Sequence, residues 1–271
     1  MRILLPVDGS VYSVVAIKYL AARREMLGDD LRVLLLNVQD NVPNNLVNNM
    51  FLEAIAAYSR DEAERVFREL DPLLEETGLT VERKTVCGNY GDKIVEEAEA
   101  WNADLIVMGT HGRSGLSSLL LGSVSIRVLA KTRRPVLLLR DETPVVTEGQ
   151  RVGLCVDDVP HSLKAAELMA ESIKFYGRDP KITVVSVKTT QLDKSEAVDP
   201  VMALFKEKGV PAESVFLKGA ASEEISDYAE EALDMLVMGS HGYGNFKAAV
   251  LGSTTSRVAA RCNLPILIVK V

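Results

Sequence analysis

The sequence has little that would form a disulfide or metal framework. Its three cysteines, Cys87, Cys155 and Cys262, are widely spaced and form no CxxC pair. This usage argues for a reducing compartment and against a structural zinc site, and it predicts that the cysteines are buried or half-buried small hydrophobic residues. No apolar stretch approaches the roughly 20 residues needed to cross a bilayer, and the opening MRILLPVDGS lacks the features of a signal peptide. These absences predict a cytoplasmic protein without a membrane partner.

The chain contains fewer basic than acidic residues. The 38 acidic and 31 basic residues give a formal net charge of −7, and such a surface disfavours nonspecific binding to nucleic acids. Small anions remain candidate ligands, because local backbone N–H groups capture them whatever the net charge. With 271 residues, 47% of them hydrophobic, the chain is long enough for two globular domains.

One sequence module occurs twice. ILLPVDGS (3–10) aligns with VGLCVDDV (152–159) at an offset of 149 residues, whereas ADLIVMGTHG (103–112) aligns with LDMLVMGSHG (233–242) at an offset of 130. The second copy is therefore 19 residues shorter. The whole difference falls between its second predicted strand and the segment LDMLVMGSHG. The alignment and the charged, Pro- and Gly-containing join predict a first domain at 1–141, a linker at 142–150 and a second domain at 151–271.

Short runs of Val, Ile and Leu alternate with helical segments in each copy. Such runs are typical of strands buried on both faces of a parallel sheet. Their alternation with helices predicts a doubly wound α/β fold, with two tandem, mostly parallel five-stranded sheets and helices on both faces. Ser10, Asp92 and Ser222 are the predicted helix caps. The closing strands PVLLLR and PILIVK are expected at the edges of their own sheets, where an exposed edge invites pairing.

Both copies also share the glycine spacing G-x2-G-x9-G-S, which begins at Gly109 and at Gly239. In an open parallel sheet, ligands bind at the carboxyl ends of the strands near the reversal of strand order. Glycines there let a phosphate approach backbone N–H groups, and each Gly-Ser pair precedes a predicted helix N-terminus. The alternative is a tight turn with a simple serine cap, but two copies of the spacing favour phosphate binding. No Lys-Ser/Thr follows the glycines, as a P-loop requires, and the third glycine of a dinucleotide fingerprint is missing.

The combination of LLPVDGS, VMG[TS]HG, the paired glycine spacing and the two closing strands resembles the universal stress protein family over nearly all of both copies. The resemblance implies a tandem protein with two domains of the adenine-nucleotide α-hydrolase-like fold. It also implies that the two domains pair through their last strands as an intrachain pseudo-dimer, and that two chains associate as a homodimer. The implied ligand is ATP, or ADP or AMP, with Mg²⁺ as a candidate companion.

The resemblance also implies which residues of the first copy contact the nucleotide. The strand ends would lie along the adenosine, and the glycine loop and following helix along the ribose and phosphates. The implied residues are Pro6, Val7, Asp8, Val38, Met108, Gly109, His111, Gly112, Arg113, Gly122, Ser123, Val124 and Ser125.

The second copy departs from this pattern. Tyr243 stands where the first copy has Arg113, and a tyrosine cannot supply a cation to a polyphosphate. Asp158 adds a negative charge near the implied site. The missing 19 residues shorten the helix and loop that could cover the nucleotide. We therefore expect a weaker, altered or empty second site, formed by Asp157, Val187, Gly239, Gly242, Gly252, Ser253, Thr254 and Thr255.

The leading hypothesis is an ATP-binding regulatory protein of the stress response with at most slow hydrolysis. No general base stands out, no Ser-His-Asp arrangement is present, and Asp8 has no evident partner carboxylate for Mg²⁺. We accordingly predict no catalytic residue and no protein-bound metal. The alternative is a scaffold protein whose glycine loops are purely structural, and a nucleotide-transforming enzyme is the least favoured class.

Overall fold

The computed structural model describes residues 1–40, 49–110, 121–157, 159–188, 195–240 and 252–270, without the side chains of 49–56, 195 and 240. Each repeat alternates strands with helices. The first repeat consists of β1 (Arg2–Pro6), α1 (Val11–Ala21), α2 (Arg24–Leu27), β2 (Arg32–Gln39), α3 (Asn49–Thr77), β3 (Val81–Cys87), α4 (Tyr90–Ala100), β4 (Leu105–Gly109), α5 (Ser123–Lys131) and β5 (Val136–Leu139).

The second repeat follows the same order, with 3-10 turns in two of its connections. It consists of β6 (Arg151–Val156), α6 (Val159–Glu171), a 3-10 turn (Ile173–Tyr176), β7 (Lys181–Lys188), a 3-10 turn (Ser195–Ala197), α7 (Val198–Glu207), β8 (Ala212–Lys218), α8 (Ala221–Ala232), β9 (Met235–Ser240), α9 (Ser253–Arg261) and β10 (Ile266–Lys270).

Ten strands of the described residues form one continuous sheet in the order β3-β2-β1-β4-β5-β10-β9-β6-β7-β8. The strands within each repeat are parallel, whereas β5 and β10 pair antiparallel, with Leu137 opposite Leu267. The prediction of two doubly wound, mostly parallel five-stranded units is confirmed, and their last strands join them. The chain reverses its direction across the sheet between β1 and β4, and again between β6 and β9, so each repeat has its own switch point.

Helices cover both faces of the sheet because its strands are apolar on both sides. On β1, Leu5 packs into the core beneath α1, α3, α6 and α7, whereas its neighbour Leu4 packs beneath α4, α5, α8 and α9. Both side chains are fully buried. Unbroken apolar runs are therefore required in these strands, as in a parallel sheet between two helical layers.

A buried arginine ties the two repeats together. Arg23 has no exposed surface, and its guanidinium lies 3.6 Å from the centroid of the Tyr19 ring. Its Nε donates to the Phe175 carbonyl at 3.0 Å, and Nη2 donates to the Val146 carbonyl at 2.8 Å and to Gln150 Oε1 at 3.1 Å. These contacts fix the first repeat against the linker and the second repeat. Desolvation lowers the pKa of Arg23, but a guanidinium stays charged in proteins.

The predicted helix caps are wrong in two of three cases. Asn89, not Asp92, caps α4, and its side chain accepts from the Asp92 N–H at 3.3 Å. Asp92 lies in the first turn, where it pairs with cations of α5. Ala220 occupies the cap position of α8, which leaves Ser222 inside that helix. Ser10 does occupy the cap position of α1, although its side chain makes no capping hydrogen bond.

The three cysteines differ in burial. Cys262 is buried and Cys155 is partly buried, as predicted, but Cys87 is exposed. The prediction for Cys87 is wrong because β3 is an outer strand of the ten-stranded sheet, and most of its residues face solvent.

Candidate functional site

A cavity of about 380 Å³ lies at the carboxyl ends of β1, β2 and β4, at the switch point of the first repeat. The structure brings together there ten of the residues that the sequence singled out. They come from three strands and from the start of α5, and they are Pro6, Val7, Asp8, Val38, Met108, Gly109, Gly122, Ser123, Val124 and Ser125. His111, Gly112 and Arg113 lie outside the described residues.

Eight further residues line the cavity and are not among the site residues predicted from the sequence. They flank the predicted ones on β2, α1 and α4, and they are Ser10, Tyr12, Ser13, Leu36, Asn37, Gln39, Tyr90 and Ile94. A signal for some of them exists, because Asn37 interrupts the apolar run of β2 and a buried amide must find a partner.

Asp8 is held at the end of β1 by the first turn of α1. Its Oδ1 accepts from the Ser10 N–H at 3.0 Å and from the Ser13 hydroxyl at 3.1 Å. The Ser13 hydroxyl oxygen in turn accepts from the Asp8 N–H at 3.1 Å. Asp8 therefore stabilises the helix start and also presents a carboxylate to the cavity. The Ser10 Oγ is buried and has no hydrogen-bond partner among the described residues.

Gly109 lets α1 approach the end of β4 closely. A Cβ atom at this position would lie 2.4 Å from the Tyr12 Cβ and 2.8 Å from its Cγ. Tyr12 thus packs directly over the glycine and forms part of the cavity wall. Desolvation and the charge of Asp141 raise the pKa of Tyr12, opposed by Arg140, so the phenol is neutral at physiological pH.

The N-terminus of α5 closes one end of the cavity. Gly122 is its cap residue, and its N–H donates to the Thr110 carbonyl at 2.6 Å. The N–H groups of Ser123 and Val124 have no acceptor among the described residues, as is usual in a first helical turn. With the positive end of the helix dipole, these donors can bind an anion.

Ser125 has a different role from its neighbours in the first turn. Its hydroxyl donates to the Gly109 carbonyl at 3.0 Å, and the residue is almost fully buried. The hydroxyl proton is therefore used within the protein, where it links the end of β4 to α5. Thr255 makes the same link in the second repeat, from Oγ1 to the Gly239 carbonyl at 3.5 Å.

The second repeat arranges its predicted residues at the equivalent edge of the sheet. The Asp157 N–H donates to the Ser162 hydroxyl at 3.3 Å, and α9 begins at Ser253 after Gly252. Thr254 and Thr255 follow in the first turn of α9, Val187 lies near the end of β7, and Gly239 lies on β9. Gly242, Asp158 and Tyr243 are outside the described residues.

Cys155 occupies the strand position that Pro6 has in the first repeat. Burial, together with Cys262 and Asp157, raises the pKa of its thiol well above the usual range, so it stays protonated. In the part of the chain that the structure describes, no three His, Cys, Asp or Glu side chains gather as metal ligands. No described helix combines the length and apolar character needed to span a membrane.

The fold and cavity define a doubly wound α/β protein with a candidate ligand site at a strand-order switch point. A model of the universal stress protein family matches residues 1–140 and 149–270. The chain therefore belongs to the universal stress protein family, with one family domain in each repeat.

Some known proteins match about one repeat of this chain, and others match the whole chain. Universal stress protein MJ0531 of Methanocaldococcus jannaschii is 32% identical over 140 residues, which cover 51% of this chain and 81% of that protein. A universal stress protein of Mycolicibacterium smegmatis is 24% identical over 287 residues and covers 99% of this chain and 96% of its own. The solved structure of a universal stress protein from Archaeoglobus fulgidus has a TM-score of 0.77 at 24% identity, with 99% and 98% of the two chains covered. The tandem arrangement therefore occurs in other members of the family.

Proposed function

We propose that the first repeat binds an adenine nucleotide, chiefly ATP, and that the protein acts as a regulator in the stress response with at most slow hydrolysis. The observation that supports this proposal best is the cavity itself. One space contains an apolar wall at β2, the Asp8 carboxylate at β1 and the start of α5 beside β4.

The order of the strands supports a single orientation of the nucleotide. Because β2, β1 and β4 are neighbours and strands lie about 4.8 Å apart, the space from β2 to β4 spans roughly 10 Å. This length suits a nucleoside with its first phosphate. The base would pack on Val38 and Ile94 at β2, a ribose hydroxyl would donate to Asp8, and the phosphates would accept from the first turn of α5.

The cavity wall favours binding over turnover. Asp8 is the one carboxylate among the described residues that line it, and no described lysine, arginine or histidine lines it. A carboxylate that already accepts two hydrogen bonds from α1 is a better ribose acceptor than a general base. We therefore include slow hydrolysis, with Mg²⁺ as a cofactor of ATP, only as the upper limit of the proposed activity.

The second repeat is proposed to bind nucleotide more weakly, and two chains are proposed to form a homodimer. Light scattering of the purified protein with and without ATP measures the assembly. A monomer under both conditions would contradict that part of the proposal without affecting the site.

The test of binding begins with protein purified without added nucleotide. We expect denaturation to release ATP, ADP or AMP, or the emptied protein to bind ATP by calorimetry with and without Mg²⁺. AMP and cAMP complete the ligand set, since other family members were crystallised with AMP, in the case of an Arabidopsis thaliana protein, and with cAMP. A folded sample that releases and binds no nucleotide would contradict the proposal and favour the scaffold alternative.

A further inference from the structure

Two amide side chains form a hydrogen-bonded chain at the carboxyl end of β2. The Asn37 Nδ2 donates to the Val7 carbonyl at 2.9 Å, and the Gln39 Nε2 donates to the Asn37 Oδ1 at 2.6 Å. Asn37 is almost fully buried and Gln39 is half-buried, and both line the cavity. We call Asn37 and Gln39 the amide relay.

The Val7 carbonyl fixes the polarity of the whole relay. A carbonyl oxygen only accepts, so the amide nitrogen of Asn37 must face Val7 and its oxygen must face Gln39. Gln39 must then present its nitrogen to that oxygen, because the reverse orientation would bring two oxygens together. The Gln39 Oε1 is consequently left at the outer end of the relay as a hydrogen-bond acceptor of fixed orientation.

The relay lies at the base end of the proposed nucleotide site. Of the three strands beneath the cavity, β2 is the farthest from the start of α5, where the phosphates would bind. Val38 and Ile94 line the same cavity from the opposite face of β2, and this apolar wall suits the faces of a purine ring. Because the relay leaves β2 on the other face from this wall, it can reach only the rim of the base, where purines differ from one another.

We infer that the Gln39 Oε1 accepts a hydrogen bond from the 6-amino group of adenine and so selects 6-aminopurines against 6-oxopurines, a selection that presupposes the nucleotide binding proposed above. A 6-oxo group would place an oxygen against the Gln39 oxygen, and a purine without a 6-substituent would leave that acceptor unpaired. Sites built to hydrogen-bond a ligand group reject analogues that lack it. Asn37 is a positioning residue, since it acts by orienting Gln39.

The second repeat has no pair of amide side chains at the equivalent positions. Ser186 and Lys188 occupy the β7 positions that correspond to Asn37 and Gln39 on β2. An ammonium group only donates hydrogen bonds, so Lys188 cannot accept from an amino group. The selection is therefore assigned to the first repeat alone, and Lys188 provides a matched control position.

Calorimetric titration with ATP, ITP and purine riboside triphosphate tests the inference. Wild-type protein should bind ATP about tenfold more tightly than either analogue. In Gln39→Leu the affinity for ATP should fall and that for purine riboside triphosphate should rise until the two agree within about twofold, because the acceptor that distinguishes them is gone. Asn37→Ser should reduce the preference for ATP over ITP while Gln39 remains in place. Lys188→Leu should leave all three affinities unchanged.

The outcomes separate this inference from the function on which it depends. If the wild type binds none of the three nucleotides, both are overturned. If it binds ATP but shows no preference over ITP, or if Gln39→Leu keeps the preference, base selection by Gln39 is overturned and nucleotide binding stands. Thermal unfolding of each variant checks that the change in preference occurs in folded protein.

Discussion

The two repeats present different side chains at equivalent edges of one sheet. Tyr12, which packs on Gly109 in the first repeat, corresponds to His161 in the second, and Gln39 corresponds to Lys188. The strand order and the two-sided cores are nevertheless the same in both halves. The apolar strands are constrained by burial on both faces, whereas residues at the strand ends are free to change. Duplication has therefore conserved the scaffold more closely than the candidate site.

The length difference between the repeats also falls on one element. α3 has 29 residues and its counterpart α7 has 10, and both connect the second strand of their repeat to the outer strand. Because this helix only covers one face of the sheet, it can be shortened without disturbing the order of the strands. The second candidate site differs from the first in its side chains, and the helix that follows its second strand is shorter.

The largest difference between the repeats is expected when the cap glycine before each anion-binding helix is replaced. Gly122→Val should weaken ATP binding at least about 100-fold, because the loss of two hydrogen bonds to phosphate costs about 1.5 kcal/mol each. Gly122 has φ −62° and ψ 152°, which valine adopts readily, so the side chain should block the phosphate without unfolding the helix start. Calorimetric titration with ATP measures the loss.

Gly252→Val is the matched variant, since Gly252 is the cap residue of α9. Its effect on total ATP binding should be below about threefold if the first repeat provides the main site. Equal losses from the two substitutions would contradict the asymmetry between the repeats, even if nucleotide binding itself were established.

The second largest effect concerns the contact between the repeats. Arg23→Ala should lower the free energy of unfolding by roughly 3 kcal/mol, because it leaves the buried carbonyls of Phe175 and Val146 without donors and opens a cavity. Ser172 holds the corresponding position in the second repeat, and Ser172→Ala should change stability by less than about 0.5 kcal/mol. Urea denaturation compares the two. Similar values would show that Arg23 does not contribute specifically to the junction.

A smaller effect is expected where the two glycine motifs begin. Gly109→Ala should cost about 1–3 kcal/mol, since the new methyl group would overlap Tyr12 and force α1 away from β4. Gly239→Ala is the control, because an added Cβ there meets no described atom within 4 Å. Urea denaturation of both variants measures the difference. A neutral Gly109→Ala would mean that α1 moves without cost and that Tyr12 is not a fixed wall of the cavity.

The scaffold and much of the candidate site could be predicted from the sequence. Strands such as β2 are recognisable because burial between two helical layers requires unbroken Val and Leu. The glycine spacing and Asp8 are recognisable because they recur at fixed positions in both copies. These features depend on local sequence and on repetition, and both are visible in the sequence alone.

The missed features depend on contacts between distant segments. In the sequence, Arg23 cannot be distinguished from an exposed arginine near a helix end. Its burial arises only when the second repeat packs against it. Asn37 and Gln39 form a relay only because the Val7 carbonyl of the neighbouring strand lies beside them. The sequence predicts the wrong cap for α4 because Asn89 and Asp92 are both good cap residues and sequence alone does not decide between them.

The smallest predicted difference between the repeats concerns their dependence on pH. Burial alone would raise the pKa of Asp234, but hydrogen bonds from Arg151 and its charge lower it overall. A carboxyl with a lowered pKa in the folded state adds stability above about pH 4, and this stability is lost as the pH falls through the folded value. Arg151→Met should therefore reduce stability by less than about 1 kcal/mol at pH 7, and the deficit should shrink towards pH 2.

Arg2→Met tests the same position in the first repeat. The Arg2 guanidinium lies 4.4 Å from the centroid of the Trp101 ring, and it is the Arg2 backbone N–H that donates to Asp104, at 2.7 Å. Because methionine keeps that backbone donor, we expect the effect of Arg2→Met on stability to be independent of pH between 7 and 2. Denaturation curves at several pH values measure both variants. A deficit that shrinks equally in the two would mean that the strand-start arginines act alike in the two repeats.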